Sequence, residues 1–307
     1  MTPRNLATRI ARKTARMLGL SARRTMPVTA MRTDFSDLSV DDWYTIVYRS
    51  INEPVIDGVE MPRFPHADVQ RAYIGAADAG ALYVARNFHD YTTKWAAALG
   101  HPLGKDSKVL DFGCGWGRVL RFFWHESAAE NLHGVDVDFD AIAVCRNLGV
   151  PGTFETIKPD GRLSYLDGSM DLIYAVSVFT HLSLKSADHW MAELHRVAKP
   201  GCVLAITVES RKFLESIAER AGSPDSLRSQ LIGRYKDRMP ELLADFDAGK
   251  FVFMENGTGG VRDNEFYGDA AIPESFFKER WGHLFRVAGY IEAHEHVGQA
   301  LVFAVKD

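Results

Sequence analysis

The stretch KVLDFGCGWG, residues 108–117, decides the fold of this chain. A short apolar run opens it, and glycines follow at every second position from Gly113 to Gly117. Glycine permits tight turns and lets the backbone approach a bound ligand closely. The stretch therefore predicts a buried strand that runs into a ligand-binding loop, and residues 117–125 predict the helix that follows.

Strands and helices alternate after this loop. Helical segments separate four further predicted strands, at residues 132–137, 153–156, 171–176 and 202–208. Units of this size form a mainly parallel sheet that helices cover on both faces. Near the C-terminus, residues 251–270 predict one strand and a glycine-rich loop, and residues 286–295 and 299–306 predict an antiparallel pair.

The composition is that of a globular protein. The chain has 307 residues, of which 46% are hydrophobic and 25% charged, and its mean hydropathy is −0.15. No apolar run reaches the roughly 18 residues that a membrane-spanning helix needs. Cys114, Cys145 and Cys202 are far apart and form no C-x-x-C pair, so neither a disulfide framework nor a thiolate zinc site is expected. We predict a cytoplasmic protein.

The histidines predict no metal site either. His294 and His296 alternate along the predicted strand at residues 286–295 and would share one face of it. A protein metal site needs at least three ligands, and the sequence shows no third one beside this pair. We therefore expect a solvated strand face.

Charge is distributed unevenly along the chain. Residues 1–33 carry eight lysine or arginine residues and no acid, so the net charge of −4 leaves −12 for the remainder, which is −4 minus 8. An acidic body argues against a nucleic-acid partner, because phosphate neutralisation requires basic side chains on the working surface. The basic arm has three interpretations: a surface-docked helix, a peripheral contact with an anionic membrane, or a transit peptide.

The glycine loop and a distant aspartate together predict a nucleoside cofactor. Asp136 ends the next strand, 21 residues after Gly115, where a carboxylate can accept hydrogen bonds from two ribose hydroxyls. A dinucleotide loop has the form G-x-G-x-x-G, but its third glycine position is Arg118 here. Asp111 would repel a pyrophosphate and could bind the ammonium group of a methionine moiety. The charges therefore favour S-adenosylmethionine over a nicotinamide dinucleotide.

Several segments between residues 105 and 208 resemble one enzyme family. They are VLDFGCGWGR, GVDVD, DLIYAVSVFTHL and KPGCVLAIT. Together they resemble the Rossmann-like, class I S-adenosylmethionine-dependent methyltransferases of the bacterial methyltransferase-domain type. The resemblance implies a three-layer α/β sandwich whose mainly parallel seven-stranded sheet has an antiparallel C-terminal strand. It also implies S-adenosylhomocysteine as a product. Cys202 stands where the family's K-P-G-G motif has its second glycine.

The same resemblance implies roles for matching positions. The backbone of the glycine loop would hold the methionine part, Asp111 its ammonium group, and Asp136 the ribose. Residues 177–181, just past the fourth strand, would line the methyl donor. The cofactor-binding residues that it implies are Asp111, Gly113, Cys114, Gly115, Asp136, Val137 and Ser177.

His181 is the candidate catalytic base. Methyl transfer is an in-line displacement at an activated sulfonium methyl, so a base is needed only where the acceptor must lose a proton. Histidine titrates near neutrality, and the family position of His181 lies beside the donor methyl. The alternative is structural: a histidine here could cap a helix or bind a backbone carbonyl. Glu209 and Tyr267 are candidate acceptor contacts on positional grounds.

The acceptor is predicted to be an oxygen. The fourth strand is followed by SVFTHL and not by the (D/N)-P-P-(Y/F) motif with which amino-methylating enzymes bind a planar nitrogen. We predict O-methylation of a small molecule, a sugar or a lipid-linked glycan. Three alternatives remain: a non-catalytic S-adenosylmethionine-binding module, a nicotinamide-dependent dehydrogenase, and a different nucleoside-using transferase such as an aminopropyl transferase.

The chain is predicted to have four parts. A basic N-terminal arm covers residues 1–33, and a helical N-terminal extension or lid covers residues 34–104. The S-adenosylmethionine-binding core covers residues 105–208. A C-terminal lid insertion and the strands that complete the core sheet cover residues 209–307.

Overall fold

The structure is a computed structural model that describes residues 34–219, 233–256 and 266–307. The basic arm at residues 1–33 lies outside these ranges, and so do its three interpretations. The α-helices that lie wholly inside them are α1 Val40–Arg49, α2 Ala67–Ile74, α3 Asp78–Ala98, α4 Phe139–Asn147, α5 Leu184–Val197, α6 Arg211–Glu219, α7 Met239–Asp247 and α8 Glu274–Trp281.

Eleven strands are described, and seven of them form one sheet. The strands are β1 Val55–Ile56, β2 Val59–Glu60, β3 Val109–Phe112, β4 Leu132–Asp136, β5 Thr153–Thr156, β6 Met170–Ala175, β7 Ala198–Val208, β8 Val252–Glu255, β9 Gly268–Ala271, β10 Arg286–Glu292 and β11 Ala300–Val305. The large sheet has the order β10-β11-β7-β6-β3-β4-β5. Strands β3 to β7 pair in parallel, and β11 runs antiparallel to both β7 and β10. The predicted mainly parallel seven-stranded sheet is confirmed.

Both faces of the sheet are buried, because successive side chains of a strand point to opposite faces. Val109 of β3 and Leu172 of β6 belong to one apolar cluster, and their neighbours Leu110 and Ile173 belong to another. All four side chains are fully buried. Each contributes roughly 1.5–3 kcal/mol on burial. The two apolar clusters make the three-layer α/β sandwich that the sequence predicts.

The chain reverses its direction of travel across the sheet at β3. It runs from β3 through β4 to β5 on one side, and then returns to β6 and β7 on the other. The carboxyl ends of β3 and β6 therefore flank a crevice, because the connections that leave them turn to opposite sides. Ligands of open α/β sheets bind at such a point.

The predicted helix over residues 117–125 is wrong. The chain forms turns and then a 3-10 helix at Leu120–Trp124. Two carbonyls of this segment also accept side-chain hydrogen bonds: Arg121 Nε donates to the Gly117 carbonyl at 3.3 Å, and Trp43 Nε1 donates to that of Phe122 at 2.8 Å. The Phe122 carbonyl accepts the His125 N–H as well, in the i to i+3 pattern of a 3-10 helix.

Two predictions near the C-terminus are also wrong. Residues 251–270 contain two paired strands, β8 and β9, and not one. The strand predicted to reach residue 295 ends at Glu292, because the N–H groups of His296 and Val297 both donate to the Ala293 carbonyl in a turn. His294 and His296 therefore do not alternate along a strand.

In the described ranges, no helix combines the length and the apolar character needed to cross a membrane.

A buried hydrogen-bonded chain joins the N-terminal helices to the core. The Tyr44 hydroxyl of α1 is 2.9 Å from Nδ1 of the fully buried His89 of α3, whose Nε2 lies 2.9 Å from Glu126 Oε2. His125 Nδ1 is 2.7 Å from Glu126 Oε1, and its Nε2 faces the Leu38 carbonyl at 3.1 Å. Burial disfavours the charged form of His125, but Glu126 and the Leu38 carbonyl both accept hydrogen bonds from its ring and raise its pKa.

We expect replacement of Glu126 to destabilise this junction. Burial disfavours the charge of Glu126, but His89 and His125 outweigh it and lower the pKa to about 2. The stability that Glu126 contributes is therefore present above pH 4.5 or so and is lost as the pH falls toward 2. Glu126→Gln should lower the free energy of unfolding at pH 7 by about 2–3 kcal/mol in urea titrations.

The deficit of Glu126→Gln should shrink as the pH is lowered from 5 to 2. Glu130→Gln is the matched control, because Glu130 is exposed and close by in the sequence. A deficit that stays constant over this pH range would show that the charge of Glu126 does not stabilise the junction.

Candidate active site

A cavity of about 590 Å³ opens at the carboxyl ends of β3, β4 and β6. It occupies the crevice where the strand order reverses. All of the predicted cofactor-binding residues and the candidate base line it: Asp111, Gly113, Cys114, Gly115, Asp136, Val137, Ser177 and His181. The fold thus brings together residues that are up to 70 positions apart in the sequence.

The backbone of the glycine loop turns sharply at Gly113. Gly113 has a φ of +82°, and a Cβ atom placed on it would lie 2.3 Å from Val178 Cγ2. Only glycine fits such a position, because the conformation and the space both exclude a side chain. The N–H groups of Gly113 and Cys114 both donate to the Val135 carbonyl of β4, at 2.8 and 3.0 Å.

Asp136 fixes the other end of the loop. Its Oδ2 accepts a hydrogen bond from the Gly115 N–H at 2.9 Å, and its Oδ1 accepts one from the Asp138 N–H at 2.9 Å. Asp138 in turn caps α4 by accepting from the Asp140 N–H. The carboxylate is therefore held in place at the cavity wall, where a ribose would meet it.

Asp111 is a buried acid in the cavity wall. Asp111 is only 2% exposed. Burial raises its pKa to about 8, whereas Tyr174 and Arg118 act to lower it. Arg118 is itself buried and donates to the Ala81 carbonyl of α3 at 2.9 Å. A bound ammonium group would favour the ionised form of Asp111.

The N-terminal extension covers the glycine loop. The Tyr73 hydroxyl of α2 donates to Asp138 Oδ2 at 3.2 Å, and its ring would touch a Cβ on Gly115 at 3.8 Å. Ile74, Ala76, Gly80 and Val84 line the cavity with it. No sequence pattern predicts this position of Tyr73, because the position depends on where α2 packs.

A buried arginine packs behind the glycine loop. Arg121 is 1% exposed, and its guanidinium group lies 4.1 Å from the Phe64 ring centre and 5.1 Å from that of Trp116. It donates to the Arg63 carbonyl at 3.3 Å and to the Pro62 carbonyl at 3.4 Å. These contacts attach residues 62–64 to the loop through cation–π and hydrogen-bonding interactions.

His181 has a defined tautomer. Its Nδ1 is 2.9 Å from the Gly268 carbonyl, which can only accept, so Nδ1 carries the proton and Nε2 of the neutral ring carries the lone pair. Asp269 Oδ1 lies 3.5 Å from the same Nδ1, and Tyr267 stacks on the ring with 5.0 Å between centres. His181 thus makes the hydrogen bond to a backbone carbonyl that is expected of a structural histidine. The same hydrogen bond leaves Nε2 without a proton, as a general base requires.

Backbone pairing brings these residues to His181. The Gly268 N–H donates to the His181 carbonyl at 2.8 Å, and Leu182 forms an antiparallel bridge with Tyr267. Sequence reasoning missed Asp269, which lies 88 positions from His181. The letters GD at 268–269 carry no such signal, because the contact arises only from this pairing.

Asp160 lies in the cavity wall and was not predicted from the sequence either. It follows β5 in a left-handed conformation, with a φ of +49°. Its Oδ2 accepts from the Ser186 hydroxyl at 3.1 Å, whereas its buried Oδ1 has no hydrogen-bond partner in the described part of the chain. A carboxylate oxygen there suits an amino group of a bound ligand. The turn letters P-D-G at 159–161 were the available signal.

Comparisons with known proteins identify the domain. Residues 110–206 match the family described as "Methyltransferase domain". Over 111 residues the chain is 31% identical to the sterol 24-C-methyltransferase erg-4 of Neurospora crassa. The matched part is 34% of this chain and 28% of that protein, so the chain spans less than a third of this relative's length.

Solved methyltransferases are also similar to the chain. Magnesium protoporphyrin IX methyltransferase of Synechocystis, solved with S-adenosylhomocysteine, is 16% identical, with 86% of this chain and 99% of that one covered and a TM-score of 0.48. An S-adenosylmethionine-dependent methyltransferase of Clostridium acetobutylicum is 12% identical, with 73% and 92% covered and a TM-score of 0.48.

Residues 110–206 are therefore a methyltransferase domain of the class I, S-adenosylmethionine-dependent type. The predicted family is thus confirmed, and S-adenosylmethionine is the cofactor of the domain. The cavity fits that cofactor, since a preorganised carboxylate, a buried acid and a glycine loop meet in it. The individual roles of the lining residues stay predictions.

Loss of the Asp136 carboxylate should weaken cofactor binding. The parent should bind S-adenosylhomocysteine in the micromolar range, about −8 kcal/mol, and Asp136→Ala should bind it less tightly by about 2–4 kcal/mol. The loss includes the released Gly115 N–H as well as the ribose contact. Isothermal titration calorimetry measures both, with Asp140→Ala as control. Equal affinity in parent and Asp136→Ala would remove Asp136 from the site.

Binding should also release a proton from Asp111. Burial raises the pKa of Asp111 to about 8, so the protonated form is favoured at pH 7 before binding, and a ligand ammonium group lowers that pKa. Titrations of S-adenosylhomocysteine in buffers of different ionisation enthalpy should show a net release of protons. Adenosine, which lacks the ammonium group, should release none, and neither ligand should do so with Asp111→Asn. Proton release by adenosine would contradict the assignment.

Proposed function

We propose that this chain transfers the methyl group of S-adenosylmethionine to a hydroxyl oxygen of a small molecule or sugar, lipid-linked glycans included. One observation carries the proposal: His181 lines the cofactor cavity with Nδ1 held by the Gly268 carbonyl and by Asp269. An alcohol acceptor must lose a proton during methyl transfer and therefore needs a base. An acceptor that is already nucleophilic needs a base much less.

The cavity has two ends. The nucleoside end lies at β3, β4 and β5, where Asp136, Val137 and Asp160 line it. The opposite end lies toward β6, β7 and β11, where His181 and Glu209 line it. A donor whose ribose binds at Asp136 therefore directs its methionine part past β3 toward β6, so the acceptor is expected at the second end.

The cofactor supplies a methyl group on a positively charged sulfur, which leaves as the thioether of S-adenosylhomocysteine. The new O–CH3 bond forms as the S–CH3 bond breaks, and the sulfur keeps that electron pair. His181 Nε2 accepts the proton of the acceptor hydroxyl. The imidazolium that results keeps its Nδ1–H directed at the Gly268 carbonyl and near the Asp269 carboxylate, so its charge is compensated.

The surroundings of His181 restrict its ring to this orientation. Tyr267 stacks at an interplanar angle of 12°, and the Asp269 side chain is 10% exposed against 30% for His181. A partly exposed base next to a buried carboxylate can meet a substrate while its partner stays shielded from water. Such ordering is typical of general-base sites.

His181→Gln should reduce methyl transfer to a hydroxyl by about 10²–10⁴-fold, which is the usual contribution of a general base. The parent should show an acid limb in the pH dependence of kcat/KM that the variant lacks. Release of S-adenosylhomocysteine is measured with methyl α-D-glucopyranoside and with catechol as acceptors. Affinity for S-adenosylhomocysteine should stay unchanged, which shows that the fold is intact.

Asp269→Asn should lower kcat by about tenfold with little change in cofactor affinity, because it acts through His181. Asp245→Asn, on helix α7 and outside the cavity lining, is the control. Retention of both rate and pH profile in His181→Gln would overturn the role of His181 as the base, whereas no turnover of either hydroxyl acceptor by the parent would favour a binding module or another acceptor atom.

A further inference from the structure

Three polar side chains form a hydrogen-bonded row in the cavity wall. The Ser177 hydroxyl donates to Gln299 Oε1 at 3.0 Å, and Gln299 Nε2 donates to Glu209 Oε1 at 3.1 Å. All three residues line the same cavity as His181. We call Ser177, Gln299 and Glu209 the polar row.

The polar row lies at the acceptor end of the cavity. Ser177 follows β6, Glu209 follows β7, and Gln299 precedes β11. Because β11 runs antiparallel to β7, its first residues meet the carboxyl end of β7 at the same edge of the sheet. Asp136 and the nucleoside end lie on the other side of β3, because β4 and β5 follow β3 in the strand order whereas β6, β7 and β11 precede it.

The row is fixed by the surrounding backbone. Ser177 has a φ of +57°, which is unusual for a residue other than glycine, and its N–H donates at 2.7 Å to the hydroxyl of the fully buried Thr207. Strained residues held in this manner cluster at functional sites. Glu209 is 8% exposed, and its carbonyl accepts from the Ile272 N–H at 3.0 Å.

We propose that the polar row recognises an acceptor with two neighbouring hydroxyl groups, and that one hydroxyl is methylated while the adjacent one binds the row. This inference rests on the proposed O-methyl transfer. A hydroxyl group both donates and accepts, and the row presents the second N–H of the Gln299 amide as a donor beside the oxygen lone pairs of Ser177 and Glu209 as acceptors. The second hydroxyl then places the first at His181 Nε2.

The two hydrogen bonds of the polar row run in one direction. Each bond runs from Ser177 through Gln299 to Glu209, so the carboxylate fixes which end of the Gln299 amide is the donor. A leucine at position 299 keeps the size of the side chain but removes both bonds. Gln299→Leu therefore tests recognition without emptying the space.

The experiment compares cyclohexane-1,2-diol (cis isomer) with cyclohexane-1,4-diol, which have the same atoms but differ in the spacing of the hydroxyls. Saturation-transfer NMR on the protein loaded with S-adenosylhomocysteine gives the Kd of each diol. The parent should prefer the 1,2-diol by about tenfold, the effect of one or two hydrogen bonds, and Gln299→Leu should reduce the preference below about threefold.

His296→Gln is the matched control. His296 lies in the same turn before β11 but contacts the Tyr83 hydroxyl at 3.2 Å, outside the cavity lining. This variant should keep the tenfold preference, and both variants should bind S-adenosylhomocysteine as the parent does.

The result has distinct outcomes. Equal affinity of the two diols in the parent, no binding of either by the loaded protein, or the same preference in Gln299→Leu would each overturn the recognition of neighbouring hydroxyls. These binding measurements do not require turnover. A 1,2-diol preference without methylation of any hydroxyl would instead contradict the proposed methyl transfer, so the two failures are distinguishable.

Discussion

The hydrogen bonds of the Asp136 carboxylate are the constraint on which the cofactor end of the structure depends. One oxygen holds the Gly115 N–H and the other holds the Asp138 N–H, so the loop after β3 and the start of α4 share one anchor. The loop can reach that anchor only because Gly113 adopts a positive φ against Val178. A side chain at Gly113 would separate the loop from β6 and would disturb both ends of the cavity.

The N-terminal extension completes this site. Arg121 attaches residues 62–64 to the back of the glycine loop, and Tyr73 attaches α2 to its front through Asp138. The Glu126 junction secures α1 and α3 nearby. Structural support for the cofactor therefore comes from segments on both sides of the loop in the sequence, and the extension is part of the site.

The fold and the cofactor end were predictable, because each follows from a local pattern. Alternating strands and helices imply a parallel sheet, and the spacing from the glycine loop to Asp136 implies a nucleoside. The acceptor end was predictable only in part: the candidates His181, Glu209 and Tyr267 line the cavity, whereas no local pattern marks Asp269 or Gln299. Asp269 reaches His181 through pairing of β9 with residues 180–183, and Gln299 reaches the cavity because β11 pairs with β7. The sequence GDAA of β9 lacks the alternation that marks a strand.

Residues 117–125 depend on partners that a local pattern does not include. Helix propensity describes a segment on its own, whereas the carbonyls of Gly117 and Phe122 also accept hydrogen bonds from the side chains of Arg121 and Trp43. The second donor comes from α1, which is 79 positions away. A pattern read in a short window cannot include such a partner.

The bond between Tyr73 and Asp138 also has a thermodynamic consequence. It closes α2 over the loop that holds the cofactor, so the cofactor and the docked form of α2 stabilise each other through linkage. Docking of α2 and binding in the cavity are then two coupled equilibria, and each favours the other by the same factor.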